Sequence, residues 1–173
     1  QDGPCEKVDV TDRAGLEAAV TRYGVDTIYH MAAMLSAVGE ANPQAAWRVN
    51  VDGLVNVLEV AREHNLRVFN PSSIAVFGPG ATNGPDRCAP QETVLRPTTI
   101  YGVAKVTGEL LGEYYVNRYG LDVRGLRYPG IISSETLPGG GTTDYAVAMF
   151  HAALAGELAA RPRLVLVCGR YEG

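Results

Sequence analysis

The chain has 173 residues, enough for one domain with a buried core, and its 46% hydrophobic and 20% charged residues are ordinary for a globular protein. A net charge of −4 without a basic block argues against nucleic acid as a partner, and no apolar run approaches the roughly 18 residues of a membrane span. Three widely spaced cysteines form neither a C-x-x-C pair nor zinc spacing, and no signal peptide opens the chain, so we expect a reduced, cytoplasmic protein without a metal site.

Apolar patterning predicts strands that alternate with helices along the chain. Strand-like apolar runs occupy residues 7–12, 26–33, 66–73, 121–130 and 163–169. Helical periodicity occupies residues 13–23, 43–64, 100–119 and 144–156. Asn42 can cap the second helix with Pro43 at its first position, and Gly24 ends the first helix. Strands separated by helices of this length predict βαβ units, and hence an α/β fold with a parallel sheet.

Ser73, Tyr101 and Lys105 form the pattern in this chain that most clearly indicates chemistry. Tyr101 and Lys105 stand four residues apart, so they share one face of the predicted helix. An ammonium one turn from a phenol favours the phenolate, which lowers the pKa of Tyr101 from about 10 toward working pH. Such a tyrosine can take a proton from a substrate hydroxyl, with Ser73 hydrogen-bonded to the same oxygen. The chemistry implied is hydride transfer at an alcohol carbon, with a nicotinamide as the other partner.

The setting of this pattern matters, because Tyr-x-x-x-Lys alone arises by chance on many amphipathic helices. Two apolar segments precede it, TIYHMAAMLS and RVFNPSSIAVFG, and each ends in small or hydroxyl residues where a predicted strand runs into a loop. In an open parallel sheet, ligands bind at the carboxyl ends of the strands. The segments around the pattern therefore favour a catalytic interpretation over a chance one.

Six segments between about residue 7 and residue 156 resemble one known family. They are VDVTD, DTIYHMAAMLSAVGEANPQAAWRVNVDG, VFNPSSIAVFGP, PTTIYGVAKVTGELL, LRYPGIIS and GGGTTDYAVAMF. They resemble the extended short-chain dehydrogenase/reductase (NAD-dependent epimerase/dehydratase) superfamily, and within it the short-chain type of L-threonine 3-dehydrogenase. The resemblance implies a Rossmann-like doubly wound parallel sheet, NAD as the cofactor and a small amino-acid substrate. It also implies a homodimer, in which helices 42–64 and 100–119 build a four-helix bundle.

The resemblance further implies roles for individual residues. Tyr101 matches the acid/base, Lys105 its activator and ribose anchor, Ser73 the hydroxyl partner, and Asn50 a helix asparagine that supports the cofactor site. The other positions that match cofactor contacts are Asp9, Val10, Ala32, Ala33, Met34, Tyr128, Pro129 and Ile131. The positions that match contacts to the amino-acid substrate are Ser36, Thr142 and Thr143, together with Ser73 and Tyr101.

Plainer interpretations of several of these residues stay open. Asp9 can simply end a strand, and Asn50 can be a solvated helix residue. Ala32 and Ala33 can be small only because a helix packs there. Tyr128 can be an ordinary aromatic residue of the core.

The chain departs from the family pattern at both ends. No strand, Gly-rich turn and helix for the pyrophosphate precede residue 7, so we expect poor NAD binding and little turnover by this chain alone. Residues 157–173 resemble a segment of the bacterial tRNA (guanine-N1) methyltransferase, or else are a generic apolar strand with a polar loop. We therefore expect a partial NAD(P)-binding Rossmann-like domain over residues 1–156 and a tail of other origin over 157–173.

Three functions are compatible with these features. The first is NAD-dependent oxidation of the 3-hydroxyl of L-threonine, a 2-amino-3-hydroxy acid, to the 2-amino-3-oxo acid. The second is a nucleotide-sugar epimerase or dehydratase; GGGTTDYAV favours the threonine enzymes, although a glycine-rich turn without G-x-G-x-x-G spacing can be a plain linker. The third is a catalytically dead fragment that acts as a binding or dimerisation module.

Overall fold

The computed structural model describes residues 5–79, 81, 89–131 and 148–149. Its α-helices are α1 (Arg13–Tyr23), α2 (Ser36–Ala41), α3 (Pro43–Trp47), α4 (Gly53–His64) and α5 (Ile100–Tyr119). Its strands are β1 (Thr27–Tyr29), β2 (Arg67–Phe69), β3 (Ser72–Ser73), β4 (Val123–Arg124) and β5 (Arg127–Tyr128). A π-helical turn, Arg48–Asp52, joins α3 to α4, and a 3₁₀ turn, Ile74–Val76, follows β3.

The strands pair in parallel, as their alternation with helices predicts. One sheet has the order β1-β2-β4, with Ile28 opposite Val68 and Val68 opposite Val123. β3 and β5 form a separate two-stranded ladder, with Ser72 opposite Arg127. A helix lies between every two strands that pair in this way, because parallel neighbours need a crossover connection. The predicted α/β fold with a parallel sheet is therefore confirmed.

Short-range hydrogen bonds explain where the helices begin and end. Asp12 caps α1 by accepting from the Gly15 amide at 3.1 Å, and Gly24 ends it in the left-handed conformation, with φ 58°. Asn42 caps α3 by accepting from the Ala45 amide at 3.2 Å. The predictions of Gly24 as a stop and Asn42 as a cap are confirmed.

The core lies between α1, α4, α5 and the three-stranded sheet, and α4 contributes half of its buried residues. The α4 members, each at most 2% exposed, are Leu54, Val57, Leu58, Val60 and Ala61. The other members are Val20, Leu66, Val68, Tyr115 and Leu121. Since burial of one leucine side chain stabilises a fold by roughly 1.5–3 kcal/mol, α4 is the main apolar support of the sheet.

The predicted first strand is wrong in this structure, although the turn at its end is confirmed. Residues 5–9 are irregular, and a hydrogen bond from the Asp12 amide to the Asp9 carbonyl at 3.0 Å closes the turn. Asp9 Oδ1 also accepts from the amide and hydroxyl of Thr11, each at 2.8 Å, which favours a turn over extended backbone. A strand needs a hydrogen-bonded neighbour, and no described strand pairs with residues 5–9.

Other elements differ from the prediction in detail. The predicted strand 121–130 is divided at Gly125 between the two sheets. A Cβ at Gly125 would lie 2.5 Å from the Asn70 carbonyl oxygen, so the close approach requires glycine. The short helix α2 was not predicted, and the π-helical turn interrupts the predicted helix 43–64.

The segments beyond β5 are mostly outside the described residues. The predicted strand 163–169 lies there, as does the predicted helix 144–156 except for residues 148–149, which are helical. Among the helices that the structure describes, none combines the length and apolar character needed to cross a bilayer.

Candidate active site

The predicted acid/base residues converge at the carboxyl end of β3. Ser73 ends β3, Tyr101 lies in the first turn of α5, and Lys105 follows one turn later. Ser73 Oγ accepts from the Ala75 amide at 3.2 Å. The Lys105 ammonium donates to the Pro71 carbonyl at 2.6 Å and lies 5.5 Å from the centroid of the Tyr101 ring. All three side chains are half-buried, so the fold places them together at one edge of the molecule.

Burial governs the ionisation of Tyr101 and Lys105. It raises the pKa of the Tyr101 phenol above 10.0, and the Ser73 hydroxyl, which lowers that pKa, does not outweigh it. Burial also lowers the pKa of the Lys105 ammonium below 10.5. The expectation that Lys105 brings the phenol toward neutral pH is wrong for this arrangement, in which the ammonium is engaged by the Pro71 carbonyl. Tyr101 is therefore a protonated phenol at neutral pH.

The first turn of α5 packs directly on the turn that follows Ser73. Thr99 Oγ1 accepts from the Gly102 amide at 3.0 Å and so caps the helix. A Cβ at Gly102 would lie 2.6 Å from the Ala75 carbonyl oxygen, so a larger residue would push the two elements apart. This approach holds Tyr101, the neighbour of Gly102, close to Ser73.

Asn50 is buried within the π-helical turn and fixes the segment after β1. Its side chain accepts from the Met34 amide at 2.7 Å and donates to the Met34 carbonyl at 3.0 Å. The interpretation of Asn50 as a solvated residue is wrong, since only 8% of it is exposed. π-Helical turns within helices frequently occur at functional sites. The part that Asn50 plays in cofactor binding stays a prediction.

His30 lies directly after β1 and borders a narrow cavity together with Ala32, Ala33, Asn50 and Lys105. Burial, aided by the charge of Lys105, lowers the pKa of His30 from 6.5 to about 4. The imidazole is therefore neutral at neutral pH and adds no second positive charge beside the ammonium. Ala32 is exposed, so helix packing does not account for its small side chain.

The turn that contains Asp9 and Val10 is tied to α4. The Val10 carbonyl accepts from Asn56 Nδ2 at 3.0 Å, and a Cβ at Gly53 would lie 2.7 Å from the Val10 side chain. The Asp9 carboxylate is engaged by Thr11, as described above. The exposed turn is thus held in a fixed place, and its predicted contact with a cofactor is untested.

The other predicted contacts lie around the ladder of β3 and β5 or outside the described residues. Tyr128 stands opposite Ser73 in the ladder, is half-buried and does not belong to the core cluster. Pro129 and Ile131 are exposed, and Ser36 is half-buried at the start of α2. The two predicted substrate residues that lie outside the described residues are Thr142 and Thr143.

A polar network beside the site was not predicted. The Glu109 carboxylate accepts from the Ser72 hydroxyl and from Arg127, whose Nε and Nη2 lie 2.9 and 2.7 Å from the two carboxylate oxygens. Burial raises the pKa of Glu109, but Arg127 and Ser72 together bring it below 4.5. The sequence carried a signal for this network in the positions of two of its residues. Ser72 directly precedes Ser73, and Glu109 is four residues beyond Lys105. In the described part of the chain, no three His, Cys, Asp or Glu side chains are grouped to hold a metal ion.

The sequence as a whole matches a known family. The model of the NAD dependent epimerase/dehydratase family matches residues 2–171. The chain belongs to this family. The match extends past residue 156, and the boundary predicted between residues 1–156 and 157–173 stays a prediction.

Individual relatives show which members of the family this chain resembles. The mitochondrial L-threonine 3-dehydrogenase of Bos taurus is 53% identical over 152 residues, which are 88% of this chain and 40% of that protein. A monomeric L-threonine 3-dehydrogenase from a metagenome has 46% identity and a TM-score of 0.82, over 88% of this chain and 49% of that one. The UDP-glucose 4-epimerase of Thermus thermophilus, in complex with NAD, has 25% identity and a TM-score of 0.72, over 86% and 48%.

These likenesses confirm the predicted superfamily and its Rossmann-like fold. This chain spans about half the length of the relatives it matches.

Proposed function

We propose that this chain carries the proton-handling site of an NAD-dependent dehydrogenase that oxidises the 3-hydroxyl of L-threonine to the 2-amino-3-oxo acid. The observation that supports this most directly is the convergence of Ser73, Tyr101 and Lys105 at the carboxyl end of a parallel strand. That edge is where open α/β sheets bind their ligands. The substrate class rests on relatives that match 88% of the chain and are named L-threonine 3-dehydrogenases.

The residues at this edge fit the nicotinamide and ribose half of NAD. Small side chains follow β1 at Ala32 and Ala33, and Asn50 holds the next residue, Met34, through both its backbone groups. Lys105 offers an ammonium to ribose hydroxyls. NAD, when bound, supplies the hydride acceptor for the alcohol carbon. The residues proposed to contact it are Asp9, Val10, Ala32, Ala33, Met34, Asn50, Tyr101, Lys105, Tyr128, Pro129 and Ile131.

The proposed chemistry assigns the proton to Tyr101. The phenolate oxygen of Tyr101 receives the substrate hydroxyl proton as the carbon–oxygen bond becomes a carbonyl, and Ser73 donates a hydrogen bond to the same oxygen. Burial raises the pKa of Tyr101 and the Lys105 ammonium is engaged by the Pro71 carbonyl, so the phenol is protonated in the arrangement described above. The proposal therefore requires that binding of substrate and cofactor lower this pKa, and the hydrogen bond of Ser73 acts in that direction. The side chains proposed to surround the substrate are Ser36, Ser73, Tyr101, Thr142 and Thr143.

We also propose a homodimer in which α4 and α5 of both subunits form a four-helix bundle. On α5, Val103, Leu110 and Tyr114 are 37%, 61% and 52% exposed, and their spacing of seven and four residues places them along one face. Trp47, at the end of α3, is 38% exposed as well. The mass in solution tests this proposal, and a monomer would contradict it.

The function is tested by NADH formation with L-threonine, on this chain and on a chimera in which its residues 5–131 replace those of a full-length L-threonine 3-dehydrogenase. We expect the chimera to oxidise L-threonine and its Tyr101→Phe variant to lose nearly all activity. The same samples are assayed for epimerisation of UDP-glucose, because the epimerase likeness makes that the competing reaction. Epimerisation without NADH formation would contradict the proposal, and a dimer inactive at high NAD would favour a dimerisation module.

A further inference from the structure

The Glu109 network consists of Ser72, Glu109 and Arg127. The two elements that carry the predicted acid/base residues, β3 and α5, each also carry a member of this network. Ser72 precedes Ser73 on β3, and Glu109 lies one helical turn beyond Lys105 on α5. On β5, Arg127 stands opposite Ser72 and directly precedes Tyr128, which is a predicted cofactor contact. The three side chains therefore connect β3, α5 and β5 immediately behind the residues that are proposed to handle the proton.

The network is shielded from solvent and well bonded. The side chains of Arg127 and Glu109 are 16% and 23% exposed, and Ser72 is 6% exposed. Arg127 binds both carboxylate oxygens of Glu109, which is the strongest form of an ion pair between side chains. Its remaining Nη1 donates to the Gln91 carbonyl at 2.8 Å, and its guanidinium lies 5.1 Å from the centroid of the Phe77 ring.

These contacts argue against a ligand site at Arg127. A cavity of about 260 Å³ adjoins the network and is bordered by Ser72, Glu109 and Arg127. However, Nε, Nη1 and Nη2 of Arg127 all donate to protein oxygens, and both oxygens of Glu109 accept from protein donors. Both charged groups are thus paired within the protein, which indicates that they hold β3, β5 and α5 together.

The strand β3 needs such support. It has two residues and pairs only with β5 among the described strands, through a ladder that includes the Ser72 amide to the Leu126 carbonyl at 2.8 Å. So short a ladder is a weak constraint on the position of Ser73 relative to α5, since independently stable sheets need more and longer strands. The hydrogen bond between Ser72 and Glu109 links β3 sideways to the helix that carries Tyr101.

We propose that Ser72, Glu109 and Arg127 are positioning residues that hold the Ser73 hydroxyl against Tyr101. The proposal rests on the proposed function in that it assigns these residues to the same Ser/Tyr/Lys site. Loss of the Glu109 carboxylate should loosen β3 against α5, with the Lys105 contact to the Pro71 carbonyl and the approach of Gly102 to Ala75 as the remaining links. The Ser73 hydroxyl should then stabilise the Tyr101 phenolate less well. In the variant Glu109→Gln, the pKa of Tyr101 should then change in the same direction as in Ser73→Ala.

The test is an alkaline titration of Tyr101 in the full chain. Tyrosine labelled with carbon-13 at Cζ is followed by NMR, Tyr101→Phe assigns the resonance, and circular dichroism marks the pH range in which the fold persists. We expect the pKa of Tyr101 to rise by roughly one unit in Ser73→Ala and in Glu109→Gln, about the effect of one hydrogen bond. Glu59→Gln is the matched control, because Glu59 also accepts from a hydroxyl and an arginine but borders none of the acid/base residues.

The outcomes separate positioning from a general loss of stability. An upward shift in Glu109→Gln without a shift in Glu59→Gln supports the proposal, whereas destabilisation without movement of the Tyr101 titration overturns it. If Glu109→Gln does not fold, Arg127→Lys carries the same test, since it keeps the charge but loses the two-point contact. The titration needs neither L-threonine nor NAD, so a chimera that oxidises no L-threonine would refute the proposed function and leave this result standing.

Discussion

Two networks of similar chemistry each include one residue of α5. In the Glu109 network, a carboxylate accepts from the Ser72 hydroxyl and from Arg127. In the Glu59 network, which consists of Glu59, Arg62 and Tyr115, a carboxylate accepts from the Tyr115 hydroxyl at 2.6 Å and from Arg62 at 2.8 Å. Each therefore combines one carboxylate, one hydroxyl and one guanidinium.

The two networks differ in what they join. Glu59 and Arg62 lie three residues apart on one helix, α4, and are contacted from one other helix, α5. Tyr115 donates to Glu59, and the centroid of the Tyr119 ring lies 5.3 Å from the Arg62 guanidinium. The Glu109 network joins three elements, and burial is the largest influence on the pKa of Glu109. For Glu59 the largest influence is the hydrogen bond from Arg62, which lowers its pKa. If the proposals above hold, one set of groups stabilises a helix pair in one place and positions the proposed acid/base residues in another.

The largest expected difference is between two tyrosines of α5. Tyr101→Phe should reduce L-threonine oxidation by the chimera about 10²–10⁴-fold, because it removes the proposed proton acceptor. Tyr115→Phe should keep that activity and lower the free energy of unfolding by about 1 kcal/mol, because it removes one hydrogen bond. Initial rates of NADH formation and urea unfolding check both. Retained oxidation in Tyr101→Phe would contradict the assignment.

His30 adds to the comparison, because its titratable ring is buried beside Lys105, whose charge helps to lower its pKa. Its pKa is about 4 in the fold and 6.5 ordinarily, so the unfolded chain binds the proton more readily between those values. The stability should fall as the pH drops from 6.5 to 4, by about 3 kcal/mol in total. His30→Gln should flatten this part of the curve, measured by urea unfolding at each pH. An unchanged slope in that variant would show that other groups cause the acid sensitivity.

Removal of the two carboxylates one at a time tests the difference in burial of their arginine partners, since the side chain of Arg127 is 16% exposed and that of Arg62 35%. Both have a lowered pKa, so each contributes stability above the ordinary carboxyl pKa of 4.5, and that stability is lost as the pH falls through the lowered value. Glu109→Gln should cost about 2 kcal/mol at pH 7 and Glu59→Gln about 1 kcal/mol, because the first leaves a more shielded arginine unpaired. Chemical unfolding at pH 7 and pH 4 gives both values. Equal costs would contradict the comparison.

The smallest effect is expected at an exposed ion pair outside both networks. Arg13 and Glu63 link α1 to α4 at 2.6 Å, but both side chains are well exposed. Solvent and salt screen such a pair, so Arg13→Ala should leave the unfolding midpoint unchanged within error. If Arg13→Ala clearly lowers the stability, and neither added salt nor the further substitution Glu63→Ala restores it, then Arg13 stabilises the fold by packing rather than by pairing with Glu63.

Local patterns predicted the helices well, because their signals lie within a few residues. The Asn42 cap, the stop at Gly24 and the apolar face of α4 were all visible as short spacings. The strand over residues 7–12 failed for the opposite reason, since a strand depends on a neighbour distant in sequence. The division of strand 121–130 likewise depends on the approach of Gly125 to Asn70, which no local pattern records.

The sequence by itself determined the α/β class through its periodicity and the family through the resemblance of its motifs, and the spacing of Ser73, Tyr101 and Lys105 predicted them as one set. These are properties of the chain alone. Only the tertiary structure decided the state of those groups. Burial, which raises the pKa of Tyr101 and lowers that of Lys105, depends on what packs over each side chain. The tertiary structure also decided the Glu109 network, because Ser72, Glu109 and Arg127 come from three elements and meet only when β3, β5 and α5 are packed together.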